Sequence, residues 1–184
     1  MNLESNVERI YIDQEKLAAR INELGDEITK FYPEEEEIVV IGVLNGSFCF
    51  MADLVRKIKQ PVTIEFFGCS SYGHSTESSG NLKITKDLDH DIADKHVLIV
   101  EDIIDSGTTL SRMKIFLNKR NPKTIRIAAL LDKPSRRKVD IHGDFTGFEI
   151  EDYFVVGYGL DFADKYRNLP YIGILKPEAY KSLT

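Results

Sequence analysis

Residues 97–109 read Val97-Leu98-Ile99-Val100-Glu101-Asp102-Ile103-Ile104-Asp105-Ser106-Gly107-Thr108-Thr109. The first four residues are apolar and typical of a buried strand, and two adjacent carboxylates, Glu101 and Asp102, follow them directly. Carboxylates at the carboxyl end of a strand can hold sugar hydroxyls or a hydrated Mg²⁺. A third carboxylate, Asp105, leads into a turn whose hydroxyls and backbone N–H groups lie where a helix begins, and such a turn binds anions. The segment therefore predicts a site for a phosphorylated sugar with free hydroxyls.

Strands and helices alternate on both sides of this segment. Residues that are typical of strands occupy 38–44, 62–68, 96–100 and 124–131, and residues with helical spacing occupy 13–33, 48–59 and 109–119. This alternation predicts an α/β fold in which a mostly parallel, twisted sheet is flanked by helices. Ligands of such sheets bind at the carboxyl ends of the strands, which is where the acid pair falls.

The last third of the chain has a different pattern. Residues 145–158 read as short strands with turns, and a brief helical piece follows from Asp161 to Arg167. We expect this part to form a small cap, the hood, over the ligand edge of the sheet. One domain is expected over residues 1–184, with a core at about 36–140, a hood at about 141–184 and a flexible, Ser/Gly-rich lid at about 70–85.

Composition excludes several classes of protein. The chain has 184 residues, of which 42% are hydrophobic and 29% charged, as in ordinary globular domains. A net charge of −6 disfavours a nucleic-acid partner, and no apolar run is long enough to make a membrane span, so no membrane partner is expected. The amino terminus lacks the pattern of a secretory signal, and the two cysteines form no CxxC pair. We therefore expect a cytoplasmic protein without a disulfide framework.

The motif at 105–109 has two interpretations. By itself it predicts only a turn and a helix N-cap, but after the apolar and acidic residues 97–104 it becomes specific. The segment then resembles the phosphoribosyl pyrophosphate (PRPP) motif of the type I phosphoribosyltransferases, and the chain resembles the bacterial members that act on hypoxanthine and guanine. The resemblance runs from about Ile38 to Leu175 and comprises four stretches in the family's order. It implies the fold of that family, with a hood formed largely by the C-terminal segment.

The first stretch is the loop from Val43 to Ser47. The resemblance implies that Leu44, Asn45 and Gly46 bind pyrophosphate through backbone N–H groups, with a cis peptide bond at Leu44–Asn45. Most relatives carry Lys or Arg where this chain has Asn45, so one positive charge is missing here. The alternative interpretation is an ordinary Asn-Gly turn.

The second stretch contains Ser71 and Tyr72. Its composition is equally typical of a disordered surface loop. The resemblance implies a lid that closes over the site and shields the reacting centre from water.

The third stretch is the motif itself. The resemblance implies that Glu101 and Asp102 hold the ribose hydroxyls and Mg²⁺, and that residues 105–109 wrap the 5′-phosphate. The PRPP-binding set is therefore Glu101, Asp102, Asp105, Ser106, Gly107, Thr108 and Thr109. Asp105 is implied to be the general base at purine N7. The alternative, an Asp that only caps a helix, would not need the neighbouring acid pair.

The fourth stretch would bind the purine. The resemblance implies that Lys133 donates to O6, that Phe154 stacks on the ring and that the Val155 backbone addresses N1 and the exocyclic position. Asp161, in the same stretch, resembles the family's second Mg²⁺ ligand, and Arg167 resembles its pyrophosphate contact. A Lys donor suits a 6-oxopurine and disfavours adenine. Without the other three stretches, Phe154 would read as a core residue and Lys133 as a surface residue.

Together these stretches imply an enzyme of purine salvage. It would transfer the 5-phosphoribosyl group of PRPP to hypoxanthine or guanine, giving IMP or GMP and pyrophosphate, with Mg²⁺ as cofactor and as a homodimer or homotetramer. Two alternatives stay open: a PRPP-binding regulatory protein with the same fold, and a phosphoribosyltransferase that prefers xanthine.

Overall fold

The computed structural model describes residues 3–70 and 82–181. In this part of the chain the helices are α1 (Gln14–Phe31), α2 (Phe48–Val55), α3 (Thr108–Asn118) and α4 (Pro177–Lys181). The strands are β1 (Val7–Ile12), β2 (Ile38–Leu44), β3 (Val62–Ser70), β4 (Lys83–Lys86), β5 (His96–Ile104), β6 (Thr124–Asp132), β7 (Phe145–Glu149), β8 (Val155–Val156) and β9 (Ile172–Leu175). None of the helices in the described residues is long and apolar enough to cross a membrane.

The central sheet has the strand order β4-β3-β2-β5-β6-β7. The pairings of β2 with β3 and β5, of β5 with β6 and of β6 with β7 are parallel, whereas β4 is antiparallel to β3. The predicted α/β fold with a mostly parallel sheet and flanking helices is therefore confirmed. β5 lies in the middle of this sheet, so its carboxyl end is held by a neighbour on each side.

The core lies on both faces of the sheet because neighbouring residues of β2 point in opposite directions. Ile38 and Val40 pack in one apolar cluster, while Val39 and Ile41 pack in the other. All four side chains are buried. A strand that is covered on both faces reads as a continuous apolar run, which is why β2 could be recognised in the sequence.

α1 shows how local sequence sets the first helix. The carboxylate of Asp13 accepts a hydrogen bond from the Lys16 N–H at 2.8 Å, which caps the amino end. Leu17, Ile21, Leu24 and Ile28, spaced by three or four residues, are buried. The helix ends at Phe31, two residues before Pro33, as the sequence predicted.

A second, smaller sheet forms the hood. Its strand order is β1-β9-β8, and both pairings are antiparallel. Two of these strands come from the C-terminal segment, as expected, but β1 comes from the amino end and was not predicted. The register Val7↔Leu175 joins the two ends of the described chain.

Three element predictions need correction. The residues from Asp161 to Arg167 form turns, and the predicted helical piece is absent from this described stretch. α2 ends at Val55, four residues before the predicted end, and β5 continues past the acid pair to Ile104. The strand β4 pairs with β3 and overlaps residues 83–85 of the segment predicted as a lid, and the lid itself stays a prediction. β4 satisfies backbone groups at the edge of the sheet, and sequence composition does not reveal that pairing.

Candidate active site

The acid pair lies on the central strand. Glu101 pairs in register with Ala129 of β6, and the Ile103 N–H donates to Asp102 Oδ1 at 2.8 Å. Burial, and then the charge of Asp102, raise the pKa of Glu101 well above its usual range. Burial also raises the pKa of Asp102. Two carboxylates that resist ionisation together form a site in which a bound cation would be stabilising.

The turn after β5 forms an open helix start. Gly107 has a φ of +75° and directly precedes α3, and its carbonyl accepts from the Ser111 N–H at 2.9 Å. A Cβ at this position would lie 2.4 Å from Ile141 Cγ2, so both the conformation and the packing require glycine. A cavity of about 270 Å³ opens here, lined by Val43, Leu44, Cys69, Glu101, Asp102, Ile103, Ile104, Asp105, Ser106, Gly107, Thr109 and Leu110. The start of α3 and the acid pair therefore share one cavity.

The loop after β2 packs directly on the acid pair. The Leu44–Asn45 peptide bond is cis, as expected. A Cβ at Gly46 would lie 1.7 Å from Asp102 Oδ2, so the Gly46 backbone is in contact with that carboxylate. Ser47 Oγ donates to the Val43 carbonyl at 2.7 Å and ties the loop to the end of β2. Asn45 is exposed.

The hood closes on this loop at Gly159. This residue has a φ of +99°, and a Cβ there would lie 2.1 Å from the Gly46 carbonyl oxygen. Arg167 Nη1 donates to the Gly159 carbonyl at 2.8 Å, and Arg167 Nη2 lies 2.9 Å from Asp161 Oδ1. The predicted pyrophosphate residues Gly46 and Arg167 are thus brought together through Gly159.

A second cavity, of about 520 Å³, adjoins the first. Its lining consists of Asp102, Ile103, Asp105, Lys133, Arg136, Asp152, Tyr153, Phe154, Val155, Leu160, Asp161 and Tyr180. It brings together the four predicted purine residues, Lys133, Phe154, Val155 and Asp161. Asp102, Ile103 and Asp105 line both cavities. The predicted base and phosphate sites therefore meet at these three residues.

Lys133 is buried at the end of β6. Its backbone N–H donates to the Ile104 carbonyl at 3.0 Å, and its Nζ donates to the Tyr153 carbonyl at 2.5 Å. Asp152 Oδ1 lies 3.7 Å from the same ammonium. An ammonium carries three N–H donors, so these two partners leave one donor for a ligand in the cavity.

Phe154 belongs to an aromatic group. Its side chain is 39% exposed, whereas Val155 beside it is buried. The ring stacks on Tyr180, with centroids 4.9 Å apart and planes at 18°. Phe162 meets it edge-on at 5.4 Å and 89°.

Asp105 lies at the junction of the two cavities and has a cationic neighbour. Arg136 Nε donates to Asp105 Oδ1 at 3.1 Å, and Arg136 Nη1 donates to Asp152 Oδ2 at 3.4 Å. Arg137 donates to the Asp105 backbone carbonyl. Neither Arg136 nor Tyr180 was predicted as a site residue. Two adjacent arginines, one of which faces a site, have no sequence signal that distinguishes them, and Tyr180 stands in a different element far along the chain.

The structure agrees better with a Mg²⁺ site formed by the acid pair alone than with the predicted set of three protein ligands. Asp161 is already paired with Arg167, and its Oδ2 accepts from the Asp164 N–H at 3.0 Å. Among residues 3–70 and 82–181, no group of three or more His, Cys, Asp or Glu side chains is arranged to hold a metal ion. Mg²⁺ commonly takes one or two carboxylates and completes its shell with water and substrate oxygens, which suits Glu101 and Asp102. The predicted lid residues Ser71 and Tyr72 lie outside the described residues.

Known proteins include close relatives of this chain. The family model of the phosphoribosyl transferase domain matches residues 6–163. A hypoxanthine-guanine phosphoribosyltransferase of Bacillus subtilis is 50% identical, over 98% of this chain and 99% of its own. A hypoxanthine phosphoribosyltransferase of Haemophilus influenzae is 55% identical, over 89% of this chain and 93% of its own.

The solved structures show the same fold. A hypoxanthine phosphoribosyltransferase from Staphylococcus aureus superposes with a TM-score of 0.92 at 44% identity, and the match covers 98% of each chain. The chain therefore belongs to the phosphoribosyltransferase family. Within that family it groups with the bacterial hypoxanthine and hypoxanthine-guanine enzymes, so the resemblance inferred from residues 38–175 is confirmed.

Proposed function

We propose that this protein is a purine salvage enzyme that transfers the 5-phosphoribosyl group of PRPP to hypoxanthine or guanine, giving IMP or GMP and pyrophosphate. The observation that carries the proposal is the junction of two cavities at Asp102, Ile103 and Asp105. One cavity has the anion-binding start of α3 and the acid pair, and the other has an aromatic ring and a buried lysine. A purine in one and a ribose 5-phosphate in the other would meet at the junction.

In this arrangement Asp105 is the general base. The N9–C1′ bond forms while the C1′–O bond to pyrophosphate breaks, and the Asp105 carboxylate accepts the N7 proton of the base. A positioned acid or base contributes about 10²–10⁴ in rate. Arg136, 3.1 Å from Asp105 Oδ1, keeps the carboxylate at the junction and must share it with the purine during the reaction.

Glu101 and Asp102 hold the ribose hydroxyls, together with Mg²⁺. The bound ion would neutralise the acid pair and the charge that develops on the departing pyrophosphate. The backbone of residues 44–46 and the guanidinium of Arg167 bind that pyrophosphate, and residues 105–109 bind the 5′-phosphate. Asp161 orients Arg167 through their 2.9 Å ion pair and lies at the edge of the base cavity.

The hydrogen-bond donor of the base cavity discriminates between purines by their group at position 6. The Lys133 ammonium donates a hydrogen bond to a 6-oxo group. A 6-amino group carries N–H donors of its own, so two donors would face each other. Buried polar groups that lose their partners cost about 1–3 kcal/mol each. Adenine is therefore rejected, while hypoxanthine and guanine share the required oxygen.

The test is an ultraviolet assay with PRPP, with hypoxanthine, guanine, xanthine and adenine run in parallel, with and without Mg²⁺. We expect nucleotide formation with hypoxanthine, guanine or both, none with adenine, and loss of turnover when Mg²⁺ is chelated. PRPP binding without turnover on any base would favour the regulatory protein instead. Faster turnover of xanthine would favour the xanthine enzyme, since that base also carries a 6-oxo group.

The compartment and the oligomeric state of the enzyme also belong to the proposal. We place it in the cytoplasm as a homodimer or homotetramer. Cys49 and Cys69 are both free thiols, which suits a reducing compartment. Sedimentation of the purified protein would give the oligomeric state.

A further inference from the structure

The C-terminal helix brings an aromatic ring to the base cavity. Tyr180 of α4 lines that cavity together with Phe154, and the two rings stack at 4.9 Å with planes at 18°. This is offset stacking at a distance typical of favourable aromatic pairs. Neither the motifs nor the proposed mechanism uses Tyr180.

The backbone fixes where Tyr180 lies. The Leu175 N–H donates to the Phe154 carbonyl at 2.8 Å, so the strand that precedes α4 is attached to Phe154 itself. The Lys176 N–H donates to the Asn6 carbonyl at 2.9 Å, which ties the same point to the amino end of the chain. α4 begins at the next residue, Pro177, and places Tyr180 in its last turn. The stacking therefore depends on the hood strands and α4 together.

The stacked pair limits how a base can bind. Two rings with centroids 4.9 Å apart leave no space for a purine between them, since a base in that position would need roughly 7 Å. One face of Phe154 is thus taken by Tyr180, and the base has only the other. Phe154 is 39% exposed, so without Tyr180 its ring would keep the edge-on contact with Phe162 but would have more freedom to change rotamer.

We propose that Tyr180 is a positioning residue for the purine base: it covers one face of Phe154 and holds that ring in the plane on which the base stacks. The inference rests on the proposed function and extends it to a residue outside the four motif stretches. Tyr180 does not line the phosphate cavity. Its effect is therefore confined to the base and leaves the affinity for PRPP unchanged.

The experiment compares Tyr180→Ala, Tyr180→Phe and a control, Tyr171→Ala. Tyr171 is a half-buried tyrosine that packs in the same hood cluster but does not line the base cavity. We expect Tyr180→Ala to raise KM for hypoxanthine about 3- to 10-fold, a size typical of one aromatic pair, with KM for PRPP unchanged. Tyr180→Phe should restore the wild-type value, and Tyr171→Ala should leave KM for hypoxanthine unchanged even where Tm falls.

Three results would overturn the inference. An unchanged KM for hypoxanthine in Tyr180→Ala would show that the ring is not needed, and a lower KM would show that it occupies the place of the base. Failure of Tyr180→Phe to restore KM would assign the effect to the hydroxyl. Calorimetric titration with IMP separates the two proposals. A wild-type protein that neither turns over hypoxanthine nor binds IMP overturns the proposed function itself, whereas an active wild type with an unaffected Tyr180→Ala overturns only the role of Tyr180.

Discussion

The proposed phosphate-binding region and the proposed base-binding region of this protein are built in different ways. The proposed phosphate-binding region takes its acid pair, its proposed general base and its turn from one continuous segment, Glu101–Thr109, which starts on the central strand β5. The proposed base-binding region collects Lys133 from the loop directly after β6, Phe154 from the hood and Tyr180 from the C-terminal helix. The residues proposed for the chemical step are thus close together in the sequence, whereas the residues proposed to recognise the base are brought together by long-range packing.

The two regions also differ in how many neighbouring strands and buried residues stabilise them. β5 has a paired strand on each side and buried apolar residues on both faces. The hood is a sheet of three short strands, one of which has only two residues. A small sheet of this kind opens more easily than a central strand, so substitutions in the hood are expected to change base affinity more readily than the chemical step.

The largest expected effect lies at the junction of the two regions. Asp105→Asn removes the proton acceptor and leaves the shape of the site, so kcat should fall about 10²- to 10⁴-fold. KM for PRPP should change less than about threefold, because the phosphate contacts in residues 106–109 remain. Steady-state kinetics in which each substrate is varied in turn would measure both.

Asp152→Asn is the matched control for this variant. Asp152 lines the base cavity and pairs with Arg136, as Asp105 does, but it does not line the phosphate cavity. We expect its kcat to stay within a few-fold of wild type. Equal losses of turnover and PRPP binding in Asp105→Asn would contradict the assignment of Asp105 as the base.

The electrostatics of the phosphate-binding region can be measured at Cys69. Burial, and then the charge of Glu101, raise the pKa of this thiol to about 11. A thiol reacts as the thiolate, so at pH 8 alkylation should be about 10²-fold slower than for a free cysteine of pKa about 8.5. The rate should rise about tenfold per pH unit until it levels off near pH 11.

The measurement is the rate of iodoacetamide alkylation of a Cys49→Ala variant, with N-acetylcysteine as reference. Cys49→Ala leaves a single thiol in the chain. A rate that levels off near pH 8.5 would show that the cavity beside the acid pair is more hydrated and less negative than the structure indicates.

Gly46→Ala tests the contact between the predicted pyrophosphate loop, residues 44–46, and the acid pair. An added Cβ would meet Asp102 Oδ2 at 1.7 Å, so the loop or the carboxylate must move. Displacement of a positioning group by about 1 Å costs on the order of 10²-fold, and we expect a loss of this size in kcat/KM for PRPP. Gly143→Ala is the control, since its Cβ would meet Thr146 Oγ1 at 2.6 Å and the Phe145 carbonyl oxygen at 3.3 Å, outside both cavities.

The smallest of these effects is expected at the base-reading lysine. Lys133→Ala removes the donor to O6 and should raise KM for hypoxanthine about tenfold, with little change in KM for PRPP. Lys138→Ala, at an exposed position five residues along the chain, serves as the control. An unchanged preference for hypoxanthine over adenine in Lys133→Ala would show that another group reads the 6-position.

Sequence patterns were most informative where structure is local. The helical spacing of Leu17, Ile21, Leu24 and Ile28 and the cap at Asp13 predicted α1, because both depend on residues within one or two turns. The continuous apolar run of β2 predicted a strand covered on both faces. The motif at 101–109 predicted the phosphate-binding region because its residues are adjacent along the chain.

The hood is the part of the molecule that local sequence patterns do not predict. β1 and β9 are short, and each is stabilised by a partner more than 150 residues away in the chain, in the register Val7↔Leu175. The segment after Asp161 reads as helical by composition, but Ala163, Asp164 and Tyr166 all have positive φ values, which a right-handed helix does not allow. Ion pairs of Arg167 with Asp161 and Asp164, and the hydrogen bond from the Asp164 N–H to Asp161 Oδ2, stabilise these turns.

By itself, the sequence determined the α/β class and the family, and it predicted a phosphate-binding role for residues 105–109, since each of these depends on consecutive residues or on a regular period. Only the tertiary structure decided that Arg136 pairs with Asp105, that Gly159 packs on Gly46 and that Tyr180 stacks on Phe154. These contacts join residues far apart in the chain, and each depends on where a strand or helix ends in space. No local pattern encodes such a position, because it is set by the packing of separate strands, helices and loops against one another.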